Sequence, residues 1–368
     1  MAATAATLAR VRDDLVRVVH RTSGLPAFAR DMGSTLRHAV PFEGVCLLTV
    51  DPATLLPTAE IVQNGLPAAA RERLTEIEVG EADVNKFAAL AGGPVPAASL
   101  SAATSGELDR SLRQREVRRP YGFADELRAV LTGPTGSWGT LTLLREARRP
   151  HFTAAEVGLV ASLASTLADG VRRAVLVDAG IGDGPHETGF LVLAADNTVE
   201  LANPAAERWV EELSPPGPAA GPLPVVIRSV AAQTRRVAAG DRNVLASARI
   251  RTRSGRWVVV RGSFAGPDRV VVLLEAARPA ELAEVVTGAY GFTERERMIT
   301  TLVARGLSTA EIAARLHLSG YTVQDHLKAI FRKTGVRTRG ELVGRVFLEH
   351  YVPRWERRPD SAERWEIP

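Results

Sequence analysis

Apolar residues in the N-terminal half of the chain form short strand-like runs and stretches with helical spacing. Thr153 and Glu156 stand three positions apart, as in a capping box, and apolar residues recur at helical spacing after them. One long helix is therefore predicted to run toward Val177. Strands are predicted at 44–50, 59–63, 127–131 and 138–144, and further helices at 7–20, 25–39 and 67–90. Residues 1–177 are thus predicted to form an α+β domain.

A glycine-rich stretch follows the long helix. Residues 178–189 contain four glycines and one proline without apolar periodicity, so they are predicted to be a linker. Strand-like and helical patterns then alternate over 190–276, which predicts a second α+β domain with a small antiparallel sheet. Residues 277–290 are predicted to be a second linker.

The C-terminal part of the chain carries explicit helix starts. Three hydroxyl residues are each followed by a glutamate three positions later, as in the capping box, and Ser319 is a fourth start. The pairs are Thr293 with Glu296, Ser308 with Glu311, and Thr338 with Glu341. Gly306 and Gly335 supply helix stops. Helices at about 294–304, 309–316, 320–334 and 339–349 make 291–352 an all-α four-helix domain, followed by a tail at 353–368.

The second and third of these helices are joined by only three residues, 317–319. So short a connection forces the two helices to cross steeply, as in a helix-turn-helix. The apolar residues of the third helix define a buried side, and its opposite polar face carries Gln324, Asp325, Lys328 and Arg332. Gln can bond adenine, Lys can donate to guanine and Asp can accept from cytosine N4, while hydroxyls and a helix start bind phosphate. The face therefore predicts contact with the DNA major groove.

Composition restricts the function classes less strongly. A net charge of +4 permits a polyanionic partner without requiring one. The single cysteine, Cys46, lies in a predicted strand and excludes a disulfide within the chain and a multi-cysteine zinc site. No apolar run of membrane length and no basic leader is evident, so we expect no membrane segment and a cytoplasmic location. The basic stretch 110–119 is interpreted as a solvated face, because acidic residues interrupt it.

The C-terminal residues resemble the LuxR-type (GerE) DNA-binding domain without gaps over about sixty residues. The resemblance is carried by Phe292-Thr-Glu-Arg-Glu, Gly306-Leu-Ser-Thr-Ala-Glu-Ile-Ala-Ala-Arg-Leu, Tyr321-Thr-Val-Gln-Asp-His-Leu-Lys and Lys333-Thr-Gly-Val-Arg-Thr-Arg-Gly-Glu-Leu-Val. Two positions depart from the family, which most often has Leu in place of Phe292 and Lys in place of Gln324. The second departure removes a positive charge from the predicted reading face, so operator sequences of other members do not transfer.

The resemblance implies roles for individual residues. In that family the third helix enters the major groove and the fourth forms the dimer contact. The resemblance therefore implies double-stranded DNA and a second copy of the chain as partners, and RNA polymerase as an indirect one. Base reading is implied for Gln324, Asp325 and Lys328. Backbone contacts are expected from Ser319, Tyr321, Thr322, His326, Arg332 and Lys333. Helix four carries more apolar surface than one neighbouring hairpin should cover, so a second copy is expected to contact Leu342, Val343, Val346 and Phe347.

The upstream regions resemble sensory domains. Residues from about 25 to 177 resemble a GAF domain, and residues 188 to 276 resemble a PAS domain, with Asn203-Pro-Ala-Ala-Glu-Arg placed after a strand pair. The resemblance implies that both domains control the DNA-binding module. No cofactor is identified, a small-molecule ligand of either domain is unknown, and Cys46 in a strand does not indicate a bilin.

Two alternatives stay open on the sequence. One is a GAF-regulated enzyme, although no Walker loop, metal cluster or nucleophile constellation is evident and we expect no enzymatic activity. The other is a helix-turn-helix module that contacts RNA polymerase rather than an operator. Sequence-specific footprints by the protein without polymerase would exclude the second alternative.

Overall fold

The strands form two antiparallel sheets that have the same strand order. The apolar residues of each strand share one face. The computed structural model describes residues 5–21, 24–177, 187–215, 223–241, 245–266 and 268–348. The chain divides into two compact units, Met1–Ala276, which holds both sheets, and Ala277–Pro368, which is helical in its described part apart from short connections.

The first sheet domain, residues 5–177, has the strand order β2-β1-β5-β4-β3. Its strands are β1 (Gly44–Val50), β2 (Pro57–Gln63), β3 (Ala97–Ser99), β4 (Phe123–Gly133) and β5 (Gly136–Glu146). Its helices are α1 (Ala5–Arg21), α2 (Leu25–Leu36), α3 (Ala68–Gly80), α4 (Phe87–Gly92), α5 (Leu100–Ala103) and α6 (Ala154–Val177). The four predicted strands and the long helix are confirmed, and the three-residue β3 escaped the sequence analysis.

α6 covers one face of the first sheet. Thr153 N donates to Glu156 Oε2 at 2.8 Å, which confirms the predicted capping box. The helix contacts β4 and β5, and its apolar stripe Val160, Leu163, Leu167 and Val171 is buried. By length and composition Ala154–Leu176 is also apolar enough to cross a membrane, in contrast to the expectation from sequence. Because the stripe packs on the sheet, α6 is a core helix of this domain.

The opposite face of the first sheet carries buried charge. Arg113 Nη2 lies 2.8 Å from Glu126 Oε1, and Arg118 Nε lies 3.2 Å from Glu126 Oε2. Burial alone would raise the pKa of Glu126, but the neighbouring guanidinium groups lower it to about 2. Arg113 is only 2% exposed, so the interpretation of 110–119 as a solvated face is wrong at these two arginines.

The second sheet domain, residues 187–276, repeats the strand order as β7-β6-β10-β9-β8. Its strands are β6 (Gly189–Leu193), β7 (Val199–Ala202), β8 (Ser247–Arg251), β9 (Trp257–Phe264) and β10 (Val270–Ala276), and its helices are α7 (Pro204–Leu213) and α8 (Val225–Ala238). Asn203 caps α7, since its side chain accepts from Ala206 N. The predicted linker over 178–189 falls mostly on 178–186, outside the described residues.

α8 lies between the two sheet domains. Every residue of Val225–Thr234 is buried, and the helix contacts β9 and β10 on one side and α3 and β2 on the other. Arg228 Nη1 donates to the Thr75 hydroxyl at 3.0 Å, and Arg228 Nη2 lies 3.2 Å from Glu60 Oε1. The sheet domains therefore share a buried interface within one unit.

The C-terminal unit consists of helices. They are α9 (Pro279–Ala289), α10 (Glu294–Ala304), α11 (Thr309–Leu316), α12 (Gly320–Thr334) and α13 (Arg339–Val343), and α13 continues as a π-helical turn over Gly344–Leu348. The predicted stops Gly306 and Gly335 both adopt the left-handed conformation that ends a helix. The predicted tail at 353–368 lies outside the described residues.

The prediction of a linker over 277–290 is wrong. Leu282, Val285, Val286 and Ala289 are all buried and follow the i, i+3, i+4, i+7 spacing of one helical face. The helix starts where Arg278 N donates to Glu281 Oε2 at 2.7 Å, without a Ser or Thr cap. α9 contacts the Gly344–Leu348 turn, so it is a packed element of the C-terminal unit.

Candidate nucleic-acid interface

The predicted helix starts position the candidate interface. Reciprocal capping boxes join Thr293 to Glu296 and Ser308 to Glu311, as predicted. At α12 the Ser319 hydroxyl accepts from Thr322 N at 3.0 Å. The third predicted box is only half formed, because Thr338 caps α13 while the Glu341 carboxylate accepts from Arg337 N instead.

The turn between α11 and α12 depends on one residue in a left-handed conformation. His317 ends α11 with φ 52° and ψ 50°, and Leu318 N then donates to Ala313 O at 2.9 Å. Beyond the turn, Val323, Leu327 and Ile330 of α12 are buried, and α12 contacts both α10 and α11. This packing fixes the direction of α12 and turns its other side to solvent.

The exposed side of α12 carries the predicted base-reading residues. Gln324, Asp325, Lys328 and Arg332 are all exposed. Lys328 Nζ lies 3.1 Å from Asp325 Oδ1, one helical turn away, and the two side chains are 75% and 74% exposed. We call Gln324, Asp325 and Lys328 the reading line.

The residues predicted to contact the DNA backbone are placed less uniformly. Ser319, Tyr321 and Thr322 are exposed at the start of α12, and Tyr321 is 88% exposed, which is unusual for an aromatic side chain. The hydroxyls of Ser319 and Thr322 lie 2.8 Å apart. His326 is half-buried. With Arg332, the exposed residues flank the reading line at both ends.

Lys333 has a structural role that the sequence did not indicate. Its Nζ lies 2.6 Å from Glu296 Oε2 and donates to Gly291 O at 2.9 Å. Burial alone would raise the pKa of Glu296, but the hydrogen bonds from Lys333 and Thr293 N hold it below its usual value. Two of the three N–H donors of this ammonium group are thus used inside the unit, and the phosphate contact of Lys333 stays a prediction.

Two of the four residues predicted to form the dimer contact are buried within the unit. Leu342 and Val346 are 0% and 2% exposed, and the segment of helix four that holds Val346 contacts α9. Only Val343 and Phe347 remain half-buried among the four predicted residues. The part of this apolar surface that lies in the Gly344–Leu348 turn packs against α9, the helix that was mistaken for a linker.

Two arginines that the sequence analysis missed fix the helix-turn-helix. Arg295 Nη2 donates to Leu316 O at 3.1 Å, at the last turn of α11. Arg339 donates to Leu307 O and to the Thr309 hydroxyl, both at 2.7 Å, at the start of α11. No local sequence pattern indicates these contacts, because the partners are 21 to 32 residues apart.

Among the described residues, no group of three or more His, Cys, Asp or Glu side chains is arranged to hold a metal ion.

Comparison with known families agrees with this geometry. Residues 291–346 match the family of bacterial regulatory proteins, luxR family. Over 59 residues the chain is 44% identical to the response regulator Rre1 of Synechocystis, covering 16% of this chain and 25% of that one. Over 51 residues it is 45% identical to the response regulator RamR of Streptomyces coelicolor, covering 14% and 25%. The chain thus spans a quarter of the length of either relative, and the family match lies in its C-terminal unit.

Solved structures resemble the chain only distantly. Escherichia coli SdiA gives a TM-score of 0.32 at 12% identity, with 92% of this chain and 98% of that chain covered. The GAF domain of a Coxiella burnetii phosphoenolpyruvate-protein phosphotransferase gives 0.30 at 15% identity, covering 47% and 96%. TM-scores of this size do not establish a shared fold.

Proposed function

We propose that this chain is a sequence-specific transcription regulator whose α12 binds in the major groove of double-stranded DNA. The proposal rests on the difference between the two sides of α12, of which one is buried and the other is exposed. Val323, Leu327 and Ile330 hold one side in the core, while the reading line faces solvent. A helix placed in this way after a tight turn fits the major groove, and its side chains match base edges there.

Exposed side chains of α12 and of its N-cap Ser319 have chemically suited partners on DNA, and Asp325 accepts from cytosine N4. Gln324 bonds adenine, Lys328 donates to guanine, and Ser319, Tyr321, Thr322 and Arg332 bind the phosphate backbone. His326, which is half-buried, contributes a backbone contact beside them. Lys333 is left out of the interface because it holds Glu296.

The N-terminal unit supplies the sensory part of the proposal. The strand order that both sheets share, together with the sequence resemblance, supports a GAF-like domain over 1–177 and a PAS-like domain over 190–276. The buried α8 joins them, so a change in one domain reaches the other through a packed helix. An input acts by binding two states of this unit with different affinity.

The assembly on DNA follows from the same proposal. A homodimer binds an imperfect palindrome, with the half-buried Val343 and Phe347 available for contact between copies. RNA polymerase is the downstream partner, and the cytoplasm is the compartment. Strictly monomeric binding to one half-site, measured by sedimentation with DNA, contradicts this part alone.

Footprinting of the purified full chain on genomic fragments, without polymerase, tests the proposal. We expect short protected sites that share a sequence motif and survive competition by random DNA. Equal protection of every fragment, or none, contradicts it. Protection that requires polymerase favours the alternative of a polymerase-contacting module.

A further inference from the structure

An ion pair on the DNA-facing side of α12 poses an electrostatic problem. Asp325 and Lys328 are three-quarters exposed, and an exposed pair of this kind contributes little to folding stability. A carboxylate on a surface that approaches a polyanion weakens binding unless the DNA offers it a hydrogen-bond donor. The exposed bases of the major groove provide such donors.

The distance between the charged groups of Lys328 and Asp325 matches the distance between two polar groups of a G·C base pair. In a G·C pair, guanine presents the acceptors N7 and O6 to the major groove, and cytosine presents the N4 donor beside O6. Cytosine N4 donates a hydrogen bond to guanine O6 within the base pair, so these two atoms lie about 2.9 Å apart. Lys328 Nζ and Asp325 Oδ1 lie 3.1 Å apart, with the complementary order of donor and acceptor.

From this match we propose that Asp325 and Lys328 act together to read a single G·C base pair. Lys328 has three N–H donors, of which one binds Asp325 and two reach guanine N7 and O6. The same carboxylate oxygen, Asp325 Oδ1, also accepts from cytosine N4. Every major-groove donor and acceptor of the G·C base pair is then used, and the carboxylate gains a partner on the DNA.

An A·T pair fits the same two side chains poorly. Its major-groove edge presents an acceptor, the adenine N6 donor, a second acceptor and the thymine methyl group. A carboxylate that accepts from adenine N6 therefore lies between two acceptors, which repel it. The ion pair thus selects G·C over A·T, whereas Lys328 alone selects only for acceptors.

The inference rests on the proposed DNA-binding function, and it has a separate consequence for salt dependence. The ion pair has no net charge. Removing both side chains therefore does not change the number of counterions that DNA binding releases. Removing both side chains should therefore abolish the base preference and leave the slope of affinity against salt unchanged. Removing Lys328 alone leaves an unpaired acid and lowers affinity for every sequence.

The test is a selection of bound duplexes from a random pool by the full chain, followed by affinity measurements on the selected duplex. The proteins are wild type, Asp325→Ala, Lys328→Ala and the double variant, with Glu294→Ala as a control that removes an exposed acid from α10. Because all these positions are exposed, unchanged circular dichroism spectra are expected and checked first.

We expect wild type and the control to prefer G·C at one position by about tenfold or more. Both single variants lose that preference at the same position, and the double variant loses no more than either. Loss at different positions, or an unchanged preference in Asp325→Ala, overturns the joint reading while leaving DNA binding intact. Absence of any wild-type motif overturns the proposed function as well, so the two failures are distinguishable.

Discussion

Lys333 Nζ lies 2.6 Å from Glu296 Oε2, which joins the last turn of α12 to the first turn of α10. The same carboxylate accepts from Thr293 N at 2.7 Å as part of a capping box. One buried acid therefore serves the start of one helix and the position of the DNA-facing helix. This relationship separates the two lysines of the C-terminal unit by role.

Lys333→Met should destabilise the C-terminal unit by about 1.5 to 3 kcal/mol, because the charged hydrogen bond is lost and Glu296 stays buried without it. Hydrogen exchange of the α10 and α12 amides in the full chain measures this loss. Lys328→Ala is the control and should change these amides by less than about 0.5 kcal/mol, as expected for an exposed site. If Lys333→Met spares stability and flattens the salt dependence of DNA binding by about one unit, Lys333 is a phosphate contact after all.

A fragment that begins at residue 277 should be more stable than one that begins at residue 291. Removing α9 exposes apolar surface of the Gly344–Leu348 turn, where Val346 is now buried. Urea unfolding of fragments 277–352 and 291–352 makes the comparison. Equal midpoints and slopes would show that α9 adds nothing to the fold and serves as a linker.

Acid should weaken the C-terminal unit through Glu296. Its pKa is lowered in the folded state, so its stabilising contribution is complete above the unfolded value of about 4.3 and is lost as pH falls through the folded value. Glu296→Gln keeps an acceptor for Thr293 N but does not titrate. We expect this variant of fragment 277–352 to be less stable than wild type at pH 7, and the difference to shrink as the pH falls below about 4.3. A constant difference at all pH values contradicts this assignment.

Glycine should be more stabilising than alanine at position 317. His317 is left-handed, a conformation that costs a residue with a side chain about 1 to 2 kcal/mol. Urea unfolding should therefore place His317→Gly about 1 kcal/mol above His317→Ala. Ala314→Gly, in the exposed part of α11, is the control and should lose about 0.5 to 1 kcal/mol. His317→Ala at least as stable as His317→Gly would contradict strain at the turn.

Local patterns predicted the C-terminal helices because their starts depend on neighbouring residues. Ser308 and Glu311 each accept a hydrogen bond from the other's backbone amide. Because they are three positions apart, the sequence alone indicates the pair. α9 escaped because it begins at Arg278 without a hydroxyl cap, and its apolar stripe is stabilised by helix four, about sixty residues later. The apolar spacing from Leu282 to Ala289 was the available indication.

Long-range charge pairs explain most of what the sequence did not predict. Arg113 looks like part of a solvated basic stretch, yet its partners Asp83 and Glu126 lie 30 and 13 residues away. Lys333 binds Glu296, which lies 37 residues earlier, so no local pattern indicates this ion pair. By contrast, the exposed reading line was predicted correctly as a face, because it is the complement of a buried stripe on the same helix.

Base reading by α12 is tested most directly by a selection of duplexes by the full chain with and without the Gln324 side chain. Wild type should enrich a motif with one adenine that Gln324→Ala no longer requires, which is a loss of discrimination of about 1 to 3 kcal/mol at that position alone. No enriched motif for wild type, or the same motif for both proteins, would contradict base reading by α12.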